Sequence, residues 1–199
     1  MVKDVYRVQV IPLPGEGQPG YLLGDIAALG IEGVERVERH DLYFLAGDLS
    51  AGDLETLIRE LLADPVVDSA EWRRVDDPRS APEGGVVRVE VGYLPGVTDS
   101  VAANLVARAR LLGMTGLEAA ASAQAYLFHG DLREGDVHTI TRRLLANDVI
   151  QYYQIGALTP HVGNPPPAAD LAARVPQRRR RRTEGYHDAV LLRTSGPHH

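Results

Sequence analysis

The chain has 199 residues, 44% of them hydrophobic and 24% charged, with 20 Gly, 13 Pro and no Cys. The absence of cysteine excludes a disulfide scaffold, a thiolate metal site and a cysteine nucleophile, and no apolar run approaches the roughly 18 residues of a membrane span. The net charge of -6 is unevenly spread: residues 161–199 hold seven Arg against three acidic side chains, leaving 14 basic and 24 acidic residues in positions 1–160, an acidic body that argues against nucleic acid as the main partner.

The opening MVKDVYRVQV lacks the apolar centre of a signal peptide, so a cytoplasmic protein is expected. Tyr6, Val8 and Val10 alternate with Arg7 and Gln9, the period of a half-buried strand. Gly15-Glu16-Gly17-Gln18-Pro19-Gly20 fits the bare G-x-G-x-x-G pattern of a dinucleotide loop. A plain turn is the better reading, because no parallel strand is expected after the helix that follows. Leu22, Ile26 and Leu29 mark that helix, and VERVERHDLYFLAGDL then reads as two short strands turning near Arg39-His40-Asp41. Leu54, Leu57, Ile58, Leu61 and Leu62 form a helical stripe, opened by Ser50 and Asp53 in capping-box spacing and stopped by Asp64-Pro65. Val66-Val67 begin a closing strand. Residues 76–86, opening DDPRSAPEGG, have linker composition.

Beyond the linker the pattern starts again. At an offset of 83, residues 126–155 match residues 43–72 at 12 of 30 positions, and at an offset of 81 Arg88-Val89-Glu90-Val91 lies over Arg7-Val8-Gln9-Val10. Val87, Val89 and Val91 repeat the first strand; Val101, Leu105, Ala109 and Leu112 repeat the first helix. Leu117 to Ala123 is Ala-rich, and propensity favours helix, yet the repeat register makes it a strand. Val137, Ile140, Leu144 and Leu145 repeat the second stripe, and Val149-Ile150 the closing strand. The expected class is α+β: two tandem ferredoxin-like βαββαβ units, residues 1–75 and 87–158, each small enough to need the other. Residues 159–199 are rich in Pro and Arg and are expected to be disordered.

The second copy, VRVEVGYLPGVTDSVAANLVARARLLGM followed by AYLFHGDL and RRLLANDVIQYYQI, resembles the PurS family of phosphoribosylformylglycinamidine synthase components, and the pair resembles the tandem PurS-like front of some long synthases. The turn Pro95-Gly96-Val97-Thr98-Asp99-Ser100 and the helix end Leu144-Leu145-Ala146-Asn147 carry the likeness. Leu94-Pro95 and Ser100-Val101 stand where the family usually has a Lys before Gly-Val and a Pro-x-Gly after the Asp. The resemblance implies a non-catalytic subunit that pairs as a dimer and bridges a PurQ-type glutaminase to a PurL-type synthetase, supporting ammonia transfer in purine biosynthesis. It implies no cofactor in this chain, ATP and Mg being used by the synthetase, and a pseudo-dimer built from the two copies, with further self-association open.

Pro95, Gly96 and Asp99 are the resulting partner-contact candidates, joined by Tyr152 and Tyr153, which replace Ser69 and Ala70 of the first copy. The two tyrosines read equally as an exposed aromatic contact at a sheet edge or as packing for the tail. His129 and His138 suggest a metal site only weakly, since their first-copy counterparts are Ala46 and Glu55. No motif sets a nucleophile beside a base, so no catalytic residue is expected. The Arg178 to Arg182 run reads as a solvated linker charge run ahead of an RNA or acidic-partner site. The alternative function is a tandem regulatory module like the ACT domains, which share the βαββαβ order and bind a small effector between copies.

Overall fold

A computed structural model describes residues 4–14, 19–77 and 86–163. The first copy runs β1 (Val5–Pro12), α1 (Gly20–Ala28), β2 (Val34–Gly47), α2 (Ala51–Leu57) with a π-helical turn over Ile58–Leu62, and β3 (Asp68–Arg74). The second runs β4 (Val86–Tyr93), α3 (Ser100–Leu111), β5 (Leu117–Gly130), α4 (Glu134–Ile140) with a π-helical turn over Thr141–Leu145, and β6 (Gln151–Ile155). The class is α+β, a six-stranded antiparallel sheet in the order β3-β1-β2-β5-β4-β6 with four helices among the described residues. The glycine-rich pattern from Gly15 falls largely outside the described residues, as do the Arg178 to Arg182 run and most of the linker.

One expectation is corrected. The hairpin placed near Arg39-His40-Asp41 does not form; β2 runs straight through it for 14 residues, and β5 does the same. The trio has none of the Gly or Asn-Gly chemistry that a tight hairpin requires, and the straight strand finds its partner in the other copy. Each copy is thus strand, helix, strand, helix, strand. The Ala-rich segment is the start of β5, as the repeat register requires.

The registers repeat with the sequence. Tyr6 pairs with Leu45 as Val87 pairs with Phe128, and Val10 with Ala70 as Val91 with Tyr153. At the centre, Asp41 pairs with Gln124, its own counterpart at the offset of 83, and Arg36 with His129 mirrors Ala46 with Ala119. The two register shifts, at Val34 and at Gly47, are also counterparts. There the backbones close in: a Cβ on Gly130 would collide with the Gly33 carbonyl oxygen and one on Gly47 with that of Gly116. Gly130, moreover, sits at φ +123°. Gly130→Ala is expected to cost about 3 kcal/mol, from positive-φ strain and a displaced backbone. Gly24→Ala, in open space within α1, is expected to add about 0.5–1 kcal/mol. Urea denaturation of both variants checks the contrast.

The helices lie over one sheet face in mixed pairs. Leu54 and Leu57 of α2 share a core with Leu105 and Ala109 of α3, over Tyr6, Val8, Val10, Leu45 and Leu117. Leu22 and Ile26 of α1 share the other with Val137 and Ile140 of α4, over Val37, Val89, Val91 and Phe128. Each copy therefore lends its first helix to the core of the other. Ser50 and Asp53 form the expected capping box; in the second copy Arg133 occupies the cap, its guanidinium on Asp136 at 3.1 Å. On α3 the buried face is Ala102, Leu105 and Ala109, with Val101 and Leu112 about half exposed. Val66 and Val149 are turn residues, 77% and 75% exposed, and the closing strands start at Asp68 and Gln151. No helix of the described residues is long and apolar enough to cross a membrane.

Candidate functional site

On the face away from the helices, β1, β2, β4 and β5 carry polar side chains that alternation assigns to solvent. Several are buried instead: Arg7 is 4% exposed, Glu90 0% and His40 5%. The chain after β6 folds back over them, placing Leu158 on Leu42, Phe44, Ala123 and Ala125. Thr159 to Gly163 belong to this strap and not to a tail: the Tyr152 hydroxyl donates to the Thr159 carbonyl at 2.8 Å, and Val162 packs on the same cluster. Residues 164–199, the rest of the expected tail, lie outside the described residues.

Glu90 is the hub. Its carboxylate accepts from both terminal nitrogens of Arg7, one at 2.8 Å, from Arg88 Nε, and from the Leu158 backbone N–H at 2.7 Å. Burial pushes its pKa up, but the hydrogen bonds and charge of Arg7, with Arg88 and Leu158, outweigh burial and hold it below the ordinary carboxylate range. With four donors on two oxygens it is a fixed anion and a poor proton acceptor. Gln9, at the Glu90 position of the first copy, accepts from Arg88 at 2.6 Å, which turns its amide nitrogen to His40 Nδ1 at 2.9 Å. His40 Nδ1 must then be an acceptor and Nε2 the donor, to Glu38 at 3.3 Å. Burial lowers the His40 pKa against the opposing pull of Glu38, which suits this neutral tautomer. Glu38 also meets Arg36 at 2.8 Å and His129 at 3.1 Å. The arrangement ties both copies together through charge and presents no nucleophile beside a base.

The predicted contact residues gather at the opposite end of β5. Pro95, Gly96, Asp99 and Tyr152 line one cavity of about 410 Å³. Asp99 caps α3 by accepting from the Ala102 N–H at 2.9 Å, and accepts from the Ser122 N–H at 2.6 Å and hydroxyl at 2.9 Å, closing the edge of β5 where β4 has ended. The cavity floor is Ala119, Ala121 and Ala123, whose first-copy counterparts are Arg36, Glu38 and His40. Small side chains in one copy thus open a space that the charged network fills in the other. Tyr152 leans on the His161 ring with centroids 4.9 Å apart, and a Cβ on Gly92 would stand 3.3 Å from its ring. Tyr152 therefore packs on the strap.

Tyr153 points to the other face, where its hydroxyl meets His138 Nδ1 at 2.8 Å and accepts from Arg142 at 3.1 Å. It is not brought to the cavity. His129 and His138 have separate partners, Glu38 for one and Tyr153 for the other, and no group of three metal-ligating side chains occurs among the described residues. The Arg7–Glu90 network escaped sequence reasoning because alternation treats polar residues as exposed. Its one sequence signal is the exchange of Gln9 for Glu90 between otherwise matching strands. Neither a protein-family model nor a curated protein matches the chain.

Proposed function

We propose that this chain is a non-catalytic assembly module of the PurS type, working in the cytoplasm, whose two copies form a pseudo-dimer within one polypeptide. It bridges a PurQ-type glutaminase and a PurL-type synthetase of the phosphoribosylformylglycinamidine synthase reaction, with ATP and Mg handled by the synthetase. The observation that carries the reading is the pairing of β2 with β5 about the equivalent residues Asp41 and Gln124. A two-fold relation between copies is what a covalently linked dimer requires.

In this reading each half of the molecule is a ferredoxin-like unit completed by exchange. The outer half of β2 pairs with β1 while its first half lies beyond β1, beside β5 and the core under α1 and α4. His40 and Asp41, where a hairpin would turn back, are the point at which the strand passes from one unit to the other. Linking the copies keeps the second half at high effective concentration. The ACT-like alternative carries the same expected βαββαβ order, so the straight β2 does not separate the two readings; the Gly96-Val97-Thr98-Asp99 turn and the Leu144-Leu145-Ala146-Asn147 helix end favour the PurS type, and thermal stabilisation by an amino acid would favour the ACT-like one.

The test is reconstitution with a PurQ-type glutaminase and a PurL-type synthetase. Omitting the chain is expected to abolish glutamine-dependent synthesis and to spare ammonia-dependent synthesis. Equal glutamine-dependent rates with and without it would refute the role.

A further inference from the structure

On the face away from the helices, at the β3 edge of the sheet, a cavity of about 250 Å³ is lined by Arg7 and Gln9 of β1, by Glu71, Trp72 and Arg73 of β3, and by Asp77. It lies below the roughly 300–1,000 Å³ of small-molecule sites, which leaves room for a polyatomic ion and none for a nucleotide.

The register of β1 with β3 puts Arg73 directly across from Arg7 and Glu71 directly across from Gln9. Like charges opposite one another on a strand pair repel. Arg7 has its counter-charge in Glu90, which Arg88 shares; Arg73 is half-buried and, among the described residues, makes no hydrogen bond and no ion pair. Burial, followed by the charges of Arg7 and Arg88, pulls the Arg73 pKa below the ordinary arginine value, and the opposing pull of Glu71 and Glu90 is weaker. Three guanidinium groups thus stand around one buried carboxylate. The other copy shows what relieves such a charge. There Glu90 occupies the position of Gln9 and Gly156 that of Arg73, and the chain leaves the sheet to bring the Leu158 N–H onto Glu90. In the first copy the carboxylate is missing, an arginine replaces the glycine, and the strand runs on to Arg74, so the space stays open.

From this asymmetry between the copies we infer that the cavity binds inorganic phosphate. The Arg73 guanidinium donates to two of its oxygens in the planar fork that suits an oxyanion, and Arg7 and Arg88 contribute charge. Glu71 and Asp77 add negative charge to the lining, which disfavours a fully ionised anion and favours one that keeps a proton. Glu71 stands about 7 Å from Arg73 along the same face of the strand, where it accepts from the P–OH that phosphate retains at neutral pH. Sulfate has no such proton and meets Glu71 as a like charge, and acetate satisfies Arg73 alone. The inference concerns the chain by itself and does not rest on the bridging role.

The experiment is calorimetric titration and thermal shift of the full chain with sodium phosphate, sulfate and acetate at about 1–20 mM, the ionic strength held constant with chloride. Phosphate is expected to raise the melting temperature, and sulfate and acetate to bind at least about tenfold more weakly, the loss of one charge-assisted hydrogen bond. Arg73→Gln is expected to abolish the response to phosphate and, in phosphate-free buffer, to leave the melting temperature unchanged or raise it, because it removes a repulsion and breaks no pair. Gln9→Glu, which restores the carboxylate of the other copy, is expected to weaken phosphate binding at least about tenfold by meeting the arginines from within. Glu71→Gln is expected to erase the preference for phosphate over sulfate. The anion series on the unmodified chain stands even where a variant fails to fold. Absence of any response to phosphate, equal responses to phosphate and sulfate, or a full response in folded Arg73→Gln would overturn the inference while leaving the reconstitution result untouched.

Discussion

Residues 1–77 and 86–163, produced as separate chains, are each expected to lack folded monomer and to form a folded one-to-one complex when mixed. The physical reason is the exchange of first helices. Without the second copy, Leu22 and Ile26, both at most 2% exposed, have no α4 to cover them, and α2 loses Leu105 and Ala109 from its core. Each large side chain left uncovered costs about 1.5–3 kcal/mol, and the central pairing of β2 with β5 is lost as well. A unit of about 70 residues has too little stability to absorb such losses. Circular dichroism and light scattering on the halves and their mixture give the answer. Two independently folded monomers that ignore each other would contradict the mixed cores.

Glu90→Ala is the point substitution with the largest expected effect. It leaves Arg7 almost fully buried without a counter-charge, removes the acceptor of the Leu158 N–H, and frees the strap. Breaking a buried pair in this way costs about 3–5 kcal/mol; at about 2–4 °C per kcal/mol for a domain of this size, the melting temperature falls by about 10 °C. Removing Glu60, paired with Arg59 on the surface where the two are 61% and 49% exposed, is expected to change stability by less than about 1 kcal/mol.

The same network sets the pH response. Glu90 has a folded pKa below its unfolded one, so its contribution is complete above the ordinary carboxylate range and disappears as pH falls through the depressed value. His40 is held below its ordinary 6.5; its neutral form must be protonated on acidification, so this contribution starts to be lost just below 6.5. Both act in one direction. Melting temperature is expected to fall in two stages on acidification, the first reduced by His40→Gln and the second by Glu90→Gln. A melting temperature that rises as pH drops from about 7 to 5 would contradict the assignment.

Much of the architecture was legible in the residues. The duplication located the four helices of the described residues, and Ser50 with Asp53 located the start of α2, because capping and helical stripes are local properties. The repeat register was stronger than propensity at Leu117 to Ala123, where alanine favours helix by a few tenths of a kcal/mol per residue. Burial was read less well. Alternation implies one wet face, and nothing in Arg7, Gln9 or Glu90 announces that Leu158 and its neighbours cover them. Of the contact candidates, Pro95, Gly96, Asp99 and Tyr152 line one cavity, while Tyr153 faces α4, since adjacent strand residues face opposite sides.

By itself, the sequence determined that the chain is two copies of one α+β pattern, with an acidic body and the polar and apolar positions of each strand. Only the tertiary structure decided that Arg39-His40-Asp41 is a straight crossing point and not a turn. A hairpin and a continuous strand use the same alternation and the same backbone hydrogen bonds, and differ only in whether the partner strand comes from the same copy or the other. That choice is made by long-range pairing, and it also decides which helices share a core and which charges meet across the sheet.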